Sequence, residues 1–255
     1  MIETYDGIIL ARREIGESSC FIEVLTDEKG LIEATAHGIK KINSPLMSST
    51  ALFSYSTISF SHSRARYTVN SAKQRFSFHR LGEDIHKLAL ASYFAQAVRA
   101  CTPTEQNQLE VSRDSLVRFL AIALFETLNA GVSRTLACVK AAFELRYSSV
   151  LGFTPDLVAC HNCGHYDCER GMFFLSRKSK LVCADCINPE FEGMRVELLP
   201  ETLFAMRNIV FSSLERCFKF TVGEDAEKQL AEIAEDYFLY RAERTFTALE
   251  YYKKL

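Results

Sequence analysis

Two Cys-x-x-Cys pairs constrain this chain more than any other local feature. Cys160 and Cys163 form the first pair, Cys183 and Cys186 form the second, and nineteen residues lie between them. Each such turn presents two thiolates to one ion, and two turns complete the tetrahedron that Zn²⁺ prefers in structural sites. We therefore predict one structural zinc ion, bound by these four cysteines, that stabilises a short segment with little apolar surface of its own.

Three neighbouring side chains leave the ligand set open. His161, His165 and Cys168 lie within or just after the first pair, and all are residue types that bind zinc. A catalytic zinc is disfavoured because four thiolates leave no open coordination position, and a redox pair because no βαβ pattern surrounds the cysteines. The remaining cysteines lie singly in apolar patterns and are expected in the core: Cys20, Cys101, Cys138 and Cys217.

The first 80 residues have the pattern of β-strands. Five short segments are rich in β-branched and aromatic residues, and several of them alternate apolar with polar side chains. Between the second and third segments, TDEKG has the composition of a hairpin turn. Five short strands in this length predict a small closed barrel, for which the OB-fold is the commonest five-stranded architecture. The segments are GIILAR, CFIEVLT, LIEATAHG, YSTISFSH and RYTVNSAKQ.

After residue 80 the apolar residues recur with the period of α-helices. The pattern predicts helices over 81–101 and 104–131, and a third over 134–151 that Ser133 caps. Two more follow the cysteines, one beginning at Pro200 and one near EDAEKQL. The fold class is therefore predicted to be α+β and multidomain. The expected parts are a barrel at 1–80, a helical domain at 81–156 and 192–255, and a zinc-binding insert at 157–191.

The net charge of −2 hides an uneven distribution of charge along the chain. Residues 34–82 contain no Asp or Glu but seven Lys or Arg, and a local positive field attracts polyanions whatever the total charge. Phe76 and Phe78 alternate with Arg75 and His79, an arrangement that suits stacking on single-stranded bases. We predict a nucleic-acid surface on the barrel. The alternative is that the aromatic residues fill the barrel and the bases only solvate its outside.

The sequence predicts a cytoplasmic protein that does not enter a membrane. Its first residues, MIETYDGIIL, lack the basic segment and apolar run of a signal peptide. The longest nearly apolar stretch, FLAIALF at 119–125, is too short to span a bilayer. In the cytoplasm cysteines stay reduced, which favours metal binding over disulfides for the paired cysteines.

Segments at both ends of the predicted barrel and in the cysteine region carry a family resemblance. They are GIILARREIGESS, VLTDEKGLIEATAHGIKKINSPL, LFSYS, and LGFTPDLVACHNCG followed by CADC. The chain resembles the RecO family of bacterial DNA repair and recombination mediators. The resemblance implies an OB-fold followed by a helical domain that carries a zinc segment. In the barrel the match lies on the Gly16–Ser18 step, Thr26, Gly30, the loop from Gly38 through Lys40 and Lys41, and Ser44.

The resemblance also implies a function and partners. It implies binding of single- and double-stranded DNA, annealing of complementary strands, and cooperation with RecR. Together they help RecA displace single-strand-binding protein (SSB), whose acidic C-terminal tail is a further partner, on the nucleoid during repair. This mechanism is non-covalent, so no enzyme activity is expected. Carried to this chain, the DNA contacts fall on Lys40, Lys41, Arg64, Arg66, Lys73 and Arg75, with Arg12 and Arg13 in the first barrel loop as further candidates. Candidates for the SSB tail are Arg118, Arg134, Lys140 and Arg146.

Two other functions compete with this interpretation. A zinc-dependent enzyme acting on nucleic acid would need an open metal site and a nearby carboxylate, for which Glu169 and Asp185 are the candidates. A zinc-containing, sequence-specific DNA-binding regulator could use the RKSK run at 177–180 to contact phosphate.

Overall fold

A computed structural model describes residues 2–26, 28–39, 44, 46–63, 66–102, 113–131, 134–188 and 195–255, with 113–115 described by backbone alone. The chain divides into two compact units. The first unit comprises Met1–Leu128 and Phe246–Leu255, and the second comprises Asn129–Thr245. The three-part domain division expected from the sequence stays a prediction.

Five strands of the first unit close into a barrel with the neighbour order β1-β2-β3-β5-β4. The β3–β5 pairing is parallel and the other pairings are antiparallel. This is the five-stranded OB-fold that the sequence predicts. The elements are β1 (Ile2–Ile15), β2 (Ser19–Thr26), β3 (Gly30–His37), a short helix α1 (Leu46–Ser49), β4 (Ser54–Ser63) and β5 (Arg66–Ser77).

Local sequence explains how the barrel closes. In the TDEKG turn, the Thr26 hydroxyl donates to the Gly30 carbonyl at 2.9 Å and accepts from the Lys29 amide at 3.2 Å, and Gly30 has a φ of +68° that favours glycine. At Gly7, where β1 pairs with both β2 and β4, a Cβ would lie 2.5 Å from the Leu25 carbonyl oxygen. Only glycine therefore lets β1 pass between its two neighbours. Alternate residues fill the interior, among them Ile22, Ile58 and Phe60.

The other described elements of the first unit are helical. A 3₁₀ turn (His79–Glu83) leads into α2 (Ile85–Cys101), and α3 (Arg113–Asn129) and α7 (Thr247–Tyr252) complete the unit. Asp84 caps α2 by accepting from the His86 and Lys87 amides at 2.9 and 3.2 Å. The Arg99 guanidinium, near the end of α2, makes a two-pronged contact with the Glu23 carboxylate of β2 at 2.6 and 2.5 Å. The first part of the helix predicted over 104–131 lies outside the described residues.

The described part of the second unit combines three α-helices with a small sheet. They are α4 (Leu136–Val150), the hairpin strands β6 (Met172–Leu175) and β7 (Lys180–Cys183), β8 (Val196–Leu198), α5 (Pro200–Phe211) and α6 (Glu224–Ala242). The sheet has the order β7-β6-β8. The predicted start of α4 is wrong by two residues, because the Thr135 hydroxyl accepts from the Cys138 amide at 3.1 Å and so caps the helix. Ser133, the predicted cap, lies outside the described residues.

Lys140 lies inside the second unit rather than on its surface. Its Nζ contacts Glu144 at 3.0 Å and Glu235 at 2.7 Å, and the side chains of Lys140 and Glu144 are 4% and 0% exposed. Burial alone would lower the pKa of Lys140, but the two carboxylates outweigh burial and raise it. Lys140, one of the four candidates for the SSB tail, is therefore enclosed and paired with carboxylates of its own chain.

Candidate metal centre and nucleic-acid interface

The first cysteine pair lies in a tight turn after α4. The Cys160 amide donates to the His165 carbonyl at 2.8 Å, and the Gly164 amide donates to the Cys160 carbonyl at 2.8 Å. Gly164 has a φ of +75°, which glycine adopts without strain. The segment Cys160–Gly164 therefore folds back on itself and turns both thiols toward the same point.

The second pair follows from the β6–β7 hairpin. Cys183 is the last residue of β7, and its carbonyl accepts from the amides of Cys186 and Ile187, both at 3.0 Å. The two turns are joined directly. The His161 amide donates to the Leu181 carbonyl at 2.8 Å, and the Cys183 amide donates to the Cys160 sulfur at 3.3 Å.

The four sulfur atoms have the spacing of a metal centre. The Sγ atoms of Cys160, Cys163, Cys183 and Cys186 all lie within 4.8 Å of one another, and those of Cys163 and Cys183 are 3.7 Å apart. A tetrahedron of sulfurs about 2.3 Å from a zinc ion has edges of about 3.8 Å. The cluster could therefore hold a zinc-sized ion with little rearrangement.

Hydrogen bonding within the cluster favours a thiolate at Cys160. Burial raises the pKa of Cys160, but hydrogen bonds from the backbone amides of Cys183, Cys163 and Asn162 outweigh burial and lower the pKa to about 6. At Cys186 the neighbouring cysteine side chains raise the pKa to about 12. Four thiols this close cannot all lose their protons unless a cation joins them, which is the environment that a divalent metal supplies.

The structure also locates the three side chains that left the ligand set open. His161 Nε2 lies 2.7 Å from Lys180 Nζ, and His165 Nδ1 lies 3.5 Å from the Cys163 sulfur. Cys168 lies in a second group with Cys183 and Asp185. The four-cysteine group contains none of these three, so the geometry favours the paired Cys-x-x-Cys ligands.

Arg207 of α5 attaches the cysteine segment, residues 157–188, to the helices of the second unit. Its guanidinium donates to the carbonyls of Leu157 at 2.8 Å and Tyr166 at 2.6 Å, and it lies 3.7 Å from the centre of the Tyr166 ring. Sequence reasoning missed this residue, because an isolated arginine in a helix carries no local pattern that distinguishes it from a solvated one.

Three of the six predicted DNA contacts are described by the structure. Lys40, Lys41 and Arg64 lie outside the described residues. Arg66 opens β5, and Lys73 and Arg75 lie on the same strand, which runs to Ser77 rather than ending at Gln74. At about 3.3 Å per residue, Arg66 lies roughly 23 Å along β5 from Lys73. The strand therefore brings Lys73 and Arg75 together and separates both from Arg66.

A β-bulge presents Arg75 and its neighbour Phe76 to solvent. Along the β4–β5 pairing, Ser56 lies opposite Gln74 and Tyr55 lies opposite Phe76, so Arg75 is the extra residue. Because the bulge interrupts the alternation of the strand, both side chains are exposed, Phe76 to 46%. This places a cation and an aromatic ring side by side on the barrel.

A polar chain orients the Arg75 guanidinium. Its Nε donates to the Thr57 hydroxyl at 2.7 Å, and that hydroxyl donates to the Asp6 carboxylate. Asp6 and Thr57 are cross-strand partners, and Thr57 also lies opposite Lys73. The Asp6 carboxylate of β1 thus lies beside the stretch without carboxylates. It lowers the local positive charge while it fixes the direction of Arg75.

Most of the other aromatic residues of this stretch serve the core. Phe60 and Phe78 are buried, and Tyr67 packs against the barrel interior and stacks on His62 with ring centres 4.5 Å apart. The alternative considered from the sequence, that these rings fill the barrel, holds for Phe60, whereas Phe78 is buried just after the last barrel strand. The alternative fails for Phe76.

Arg12 and Arg13 lie in a strand and not in the predicted loop, because β1 continues to Ile15. Arg12 pairs across the sheet with Ile22, and Arg13 pairs with Phe21. Arg12 Nη1 donates to the Met47 carbonyl at 3.4 Å, and the Arg13 guanidinium lies 5.8 Å from the Phe21 ring centre. Their role in binding DNA stays a prediction.

Two arginines that the sequence offered as contact sites, Arg146 and Arg177, have partners within the second unit. Arg146 donates to the carbonyls of Ile209 and Val210 at the end of α5, at 3.3 and 2.5 Å, and so satisfies groups that the helix leaves open. Arg177, the first residue of RKSK, contacts Asp236 at 2.7 Å and lies 4.1 Å from the Tyr240 ring centre. Asp185, a candidate for the enzyme alternative, is ion-paired with Arg170.

Comparison with known proteins places the chain. Two family models match it in succession: the model for the N-terminal part of recombination protein O matches residues 1–78, and the model for its C-terminal part matches residues 82–250. The chain belongs to the recombination protein O (RecO) family. The resemblance inferred from the barrel segments and the cysteine pairs is thereby confirmed.

Relatives in this family are distant in sequence but match over most of their length. The chain is 26% identical over 256 residues to the DNA repair protein RecO of Alkaliphilus metalliredigens, with all of both chains covered. It is 25% identical over 250 residues to the RecO of Acetivibrio thermocellus, covering 98% of this chain and 95% of the relative. For the RecO of Bacillus subtilis the identity is 25%, covering 93% of this chain and 89% of the relative.

In the described ranges, no helix has both the length and the apolar character of a membrane span.

Proposed function

We propose that this chain is a DNA repair and recombination mediator that binds single- and double-stranded DNA and anneals complementary strands. With RecR it helps load RecA onto DNA coated with SSB, whose C-terminal tail it contacts; it acts in the cytoplasm, on the nucleoid during repair. The observation that carries DNA binding is the bulge on β5, where Arg75 and Phe76 are exposed beside Lys73. Membership in the RecO family, whose relatives are DNA repair proteins, supports the rest.

The proposed mechanism is electrostatic and involves no covalent step. Two DNA strands repel each other through their phosphates, and cations on the barrel lower that repulsion when both strands lie near them. The Thr57–Asp6 pair holds the Arg75 guanidinium in one direction, which reduces the conformational entropy lost on binding. The exposed Phe76 ring offers a stacking surface for an unpaired base.

We further propose that the four-cysteine cluster holds one zinc ion with a structural role. Cys160, Cys163, Cys183 and Cys186 supply four sulfur ligands, and four thiolates close the coordination sphere. Such an ion would join the turn after α4 to the β6–β7 hairpin. It would thereby stabilise the backbone turn whose carbonyl groups, those of Leu157 and Tyr166, accept hydrogen bonds from Arg207 of α5.

The mediator proposal is tested by strand annealing. Complementary oligonucleotides, free or coated with SSB from the same organism, are mixed with the wild-type chain or with Lys40→Glu/Lys41→Glu. We expect the wild type to accelerate annealing and the charge reversal to reduce that acceleration at least about tenfold, because like charges now face phosphate. Annealing that is unaffected by the reversal would place the DNA surface elsewhere.

The salt dependence of single-strand binding measures how many phosphates the chain contacts. About five contacts at about −0.7 each predict a slope near −3.5 for log K against log salt concentration. We expect Lys73→Ala/Arg75→Ala to make the slope shallower by about 1.4. Lys253→Ala/Lys254→Ala, which removes the same charge from the exposed end of the chain, is the matched control and should leave the slope unchanged. Equal slopes for the two double variants would show that Lys73 and Arg75 do not contact phosphate.

The same binding assay separates a mediator from a sequence-specific regulator. A mediator binds mixed-sequence single strands, whereas a regulator prefers one duplex sequence. The partners of Arg177 weigh against the regulator, because Asp236 and Tyr240 engage the guanidinium that RKSK would direct at phosphate.

A further inference from the structure

A fifth cysteine, Cys168, lies beside the candidate zinc ligands but belongs to neither Cys-x-x-Cys turn. Its sulfur, the Cys183 sulfur and a carboxylate oxygen of Asp185 all lie within 4.8 Å of one another. Cys183 therefore belongs to two groups at once, the four-cysteine cluster and this smaller group. Asp185 is also ion-paired with Arg170, which makes the smaller group a poor place for a second cation.

Backbone hydrogen bonds hold Cys168 at this position. The Gly171 amide donates to the Cys168 carbonyl at 2.9 Å, and the Gly171 carbonyl accepts from the Ala184 amide at 3.0 Å. Met172, the next residue, pairs with Cys183 across the β6–β7 hairpin. The turn that carries Cys168 is thus attached at Cys183 and at Ala184, so the approach of the two sulfurs is built into the hairpin.

The two sulfurs differ in their access to solvent. Cys183 is 1% exposed, whereas Cys168 is partly exposed. Of these two sulfurs, a small oxidant in solution therefore reaches that of Cys168 first. Cys183, as one of four metal ligands, would be held as a thiolate, which is the nucleophilic form of cysteine.

We propose that Cys168 is an oxidation site at which hydroperoxides trigger a disulfide with Cys183 and so open the zinc site. The proposal rests on the four-cysteine ligand set proposed above. In the absence of peroxide the chain would keep its metal and an ordered cysteine segment. In the presence of peroxide it would lose both.

The chemistry balances with hydrogen peroxide as the oxidant. The Cys168 sulfur attacks one peroxide oxygen, the O–O bond breaks, and the thiol proton leaves with the other oxygen as water, so that Cys168 becomes a sulfenic acid. The Cys183 thiolate then attacks the Cys168 sulfur, the S–O bond breaks, and hydroxide leaves. The two sulfurs lose two electrons, the peroxide gains two, and the metal site loses one of its four ligands.

Peptide mapping identifies the disulfide directly. The zinc-loaded full-length chain is treated with one equivalent of hydrogen peroxide, alkylated, and digested with trypsin and an enzyme that cleaves before aspartate. Cleavage before Asp167 and after Arg170, and after Lys180 and before Asp185, isolates Cys168 in DCER and Cys183 in LVCA. We expect DCER joined to LVCA as the main cross-linked product. A main product that joins Cys160 to Cys163, or Cys183 to Cys186, would overturn the proposal.

Metal release provides the second readout. We expect Cys168→Ser to bind zinc as the wild type does but to release it to a chromogenic chelator about tenfold more slowly under peroxide, because the thiol that peroxide oxidises first is missing. Cys101→Ser, which removes another partly exposed cysteine, is the matched control and should release zinc at the wild-type rate. Equal release rates for the wild type and Cys168→Ser would also overturn the proposal.

These readouts do not depend on DNA. A chain that forms the Cys168–Cys183 disulfide and releases zinc but fails to anneal strands would contradict the mediator function and leave this inference standing. A chain that anneals strands but forms a different disulfide would support the mediator function and contradict this inference.

Discussion

Replacing Cys160 with serine is expected to abolish zinc binding and to unfold the cysteine segment. Zinc sites of this type contribute about 10–16 kcal/mol in peptide systems, more than a loop-rich segment can recover from apolar burial. We expect one zinc per wild-type chain and essentially none in Cys160→Ser. Metal analysis checks the zinc content, and hydrogen exchange should show faster exchange over 157–188 and in the part of α5 around Arg207, which contacts that segment.

Cys168→Ser serves as the control for this prediction. Cys168 lies next to the cluster and has the same chemistry, but the four-cysteine group does not include it. Under reducing conditions this variant should keep one zinc and the wild-type exchange pattern. If Cys168→Ser loses the metal while Cys163→Ser retains it, Cys168 is the fourth ligand in place of Cys163. If wild-type chain purified without chelator carries no zinc and its clustered thiols react freely, the site is not a metal centre.

Lys140→Met is expected to destabilise the second unit by about 3–5 kcal/mol, because it removes the ammonium group that pairs with the buried Glu144 carboxylate. Chemical denaturation measures the loss. Lys228→Met is the matched control: Lys228 also pairs with a glutamate four residues away, Glu224 at 2.8 Å, but both side chains are exposed and the pair should contribute less than about 1 kcal/mol. Similar losses for the two variants would mean that Lys140 and Glu144 are not desolvated.

The pH dependence of this effect has a definite sign. Because the pKa of Lys140 is raised above its usual value of 10.5 in the folded chain, its contribution is complete below about 10.5 and is lost as the pH rises through the folded pKa. The stability difference between wild type and Lys140→Met should therefore stay constant between about pH 7 and 9 and shrink only in stronger alkali. A difference that falls within the neutral range would show that Lys140 does not carry the effect.

Sequence patterns predicted the barrel and the cysteine cluster well because both depend on local spacing. Alternating apolar residues placed the five strands, and the TDEKG turn was predicted from its composition. The predictions that failed depend on detail at the ends of elements. Thr135 instead of Ser133 caps α4, and Arg12 and Arg13 continue β1 instead of forming a loop.

Predictions about individual cations were weaker, since a cation's availability depends on partners far away in the chain. Lys140 and Arg177 have the same local character as exposed bases, but Glu235 and Asp236 of α6 engage them. Arg75 and Phe76 are exposed together because of a bulge in the β4–β5 pairing, and a bulge depends on the register of two strands.

The sequence by itself therefore determined the strand and helix pattern, the position of the cysteine pairs and the family of this protein, because periodicity, turn chemistry and ligand spacing act over a few residues. Only the tertiary structure decided which cations are exposed on the barrel, and which fifth thiol lies beside one of the four clustered cysteines. Those contacts join residues that are distant in the chain, and their distances follow from strand register and helix packing.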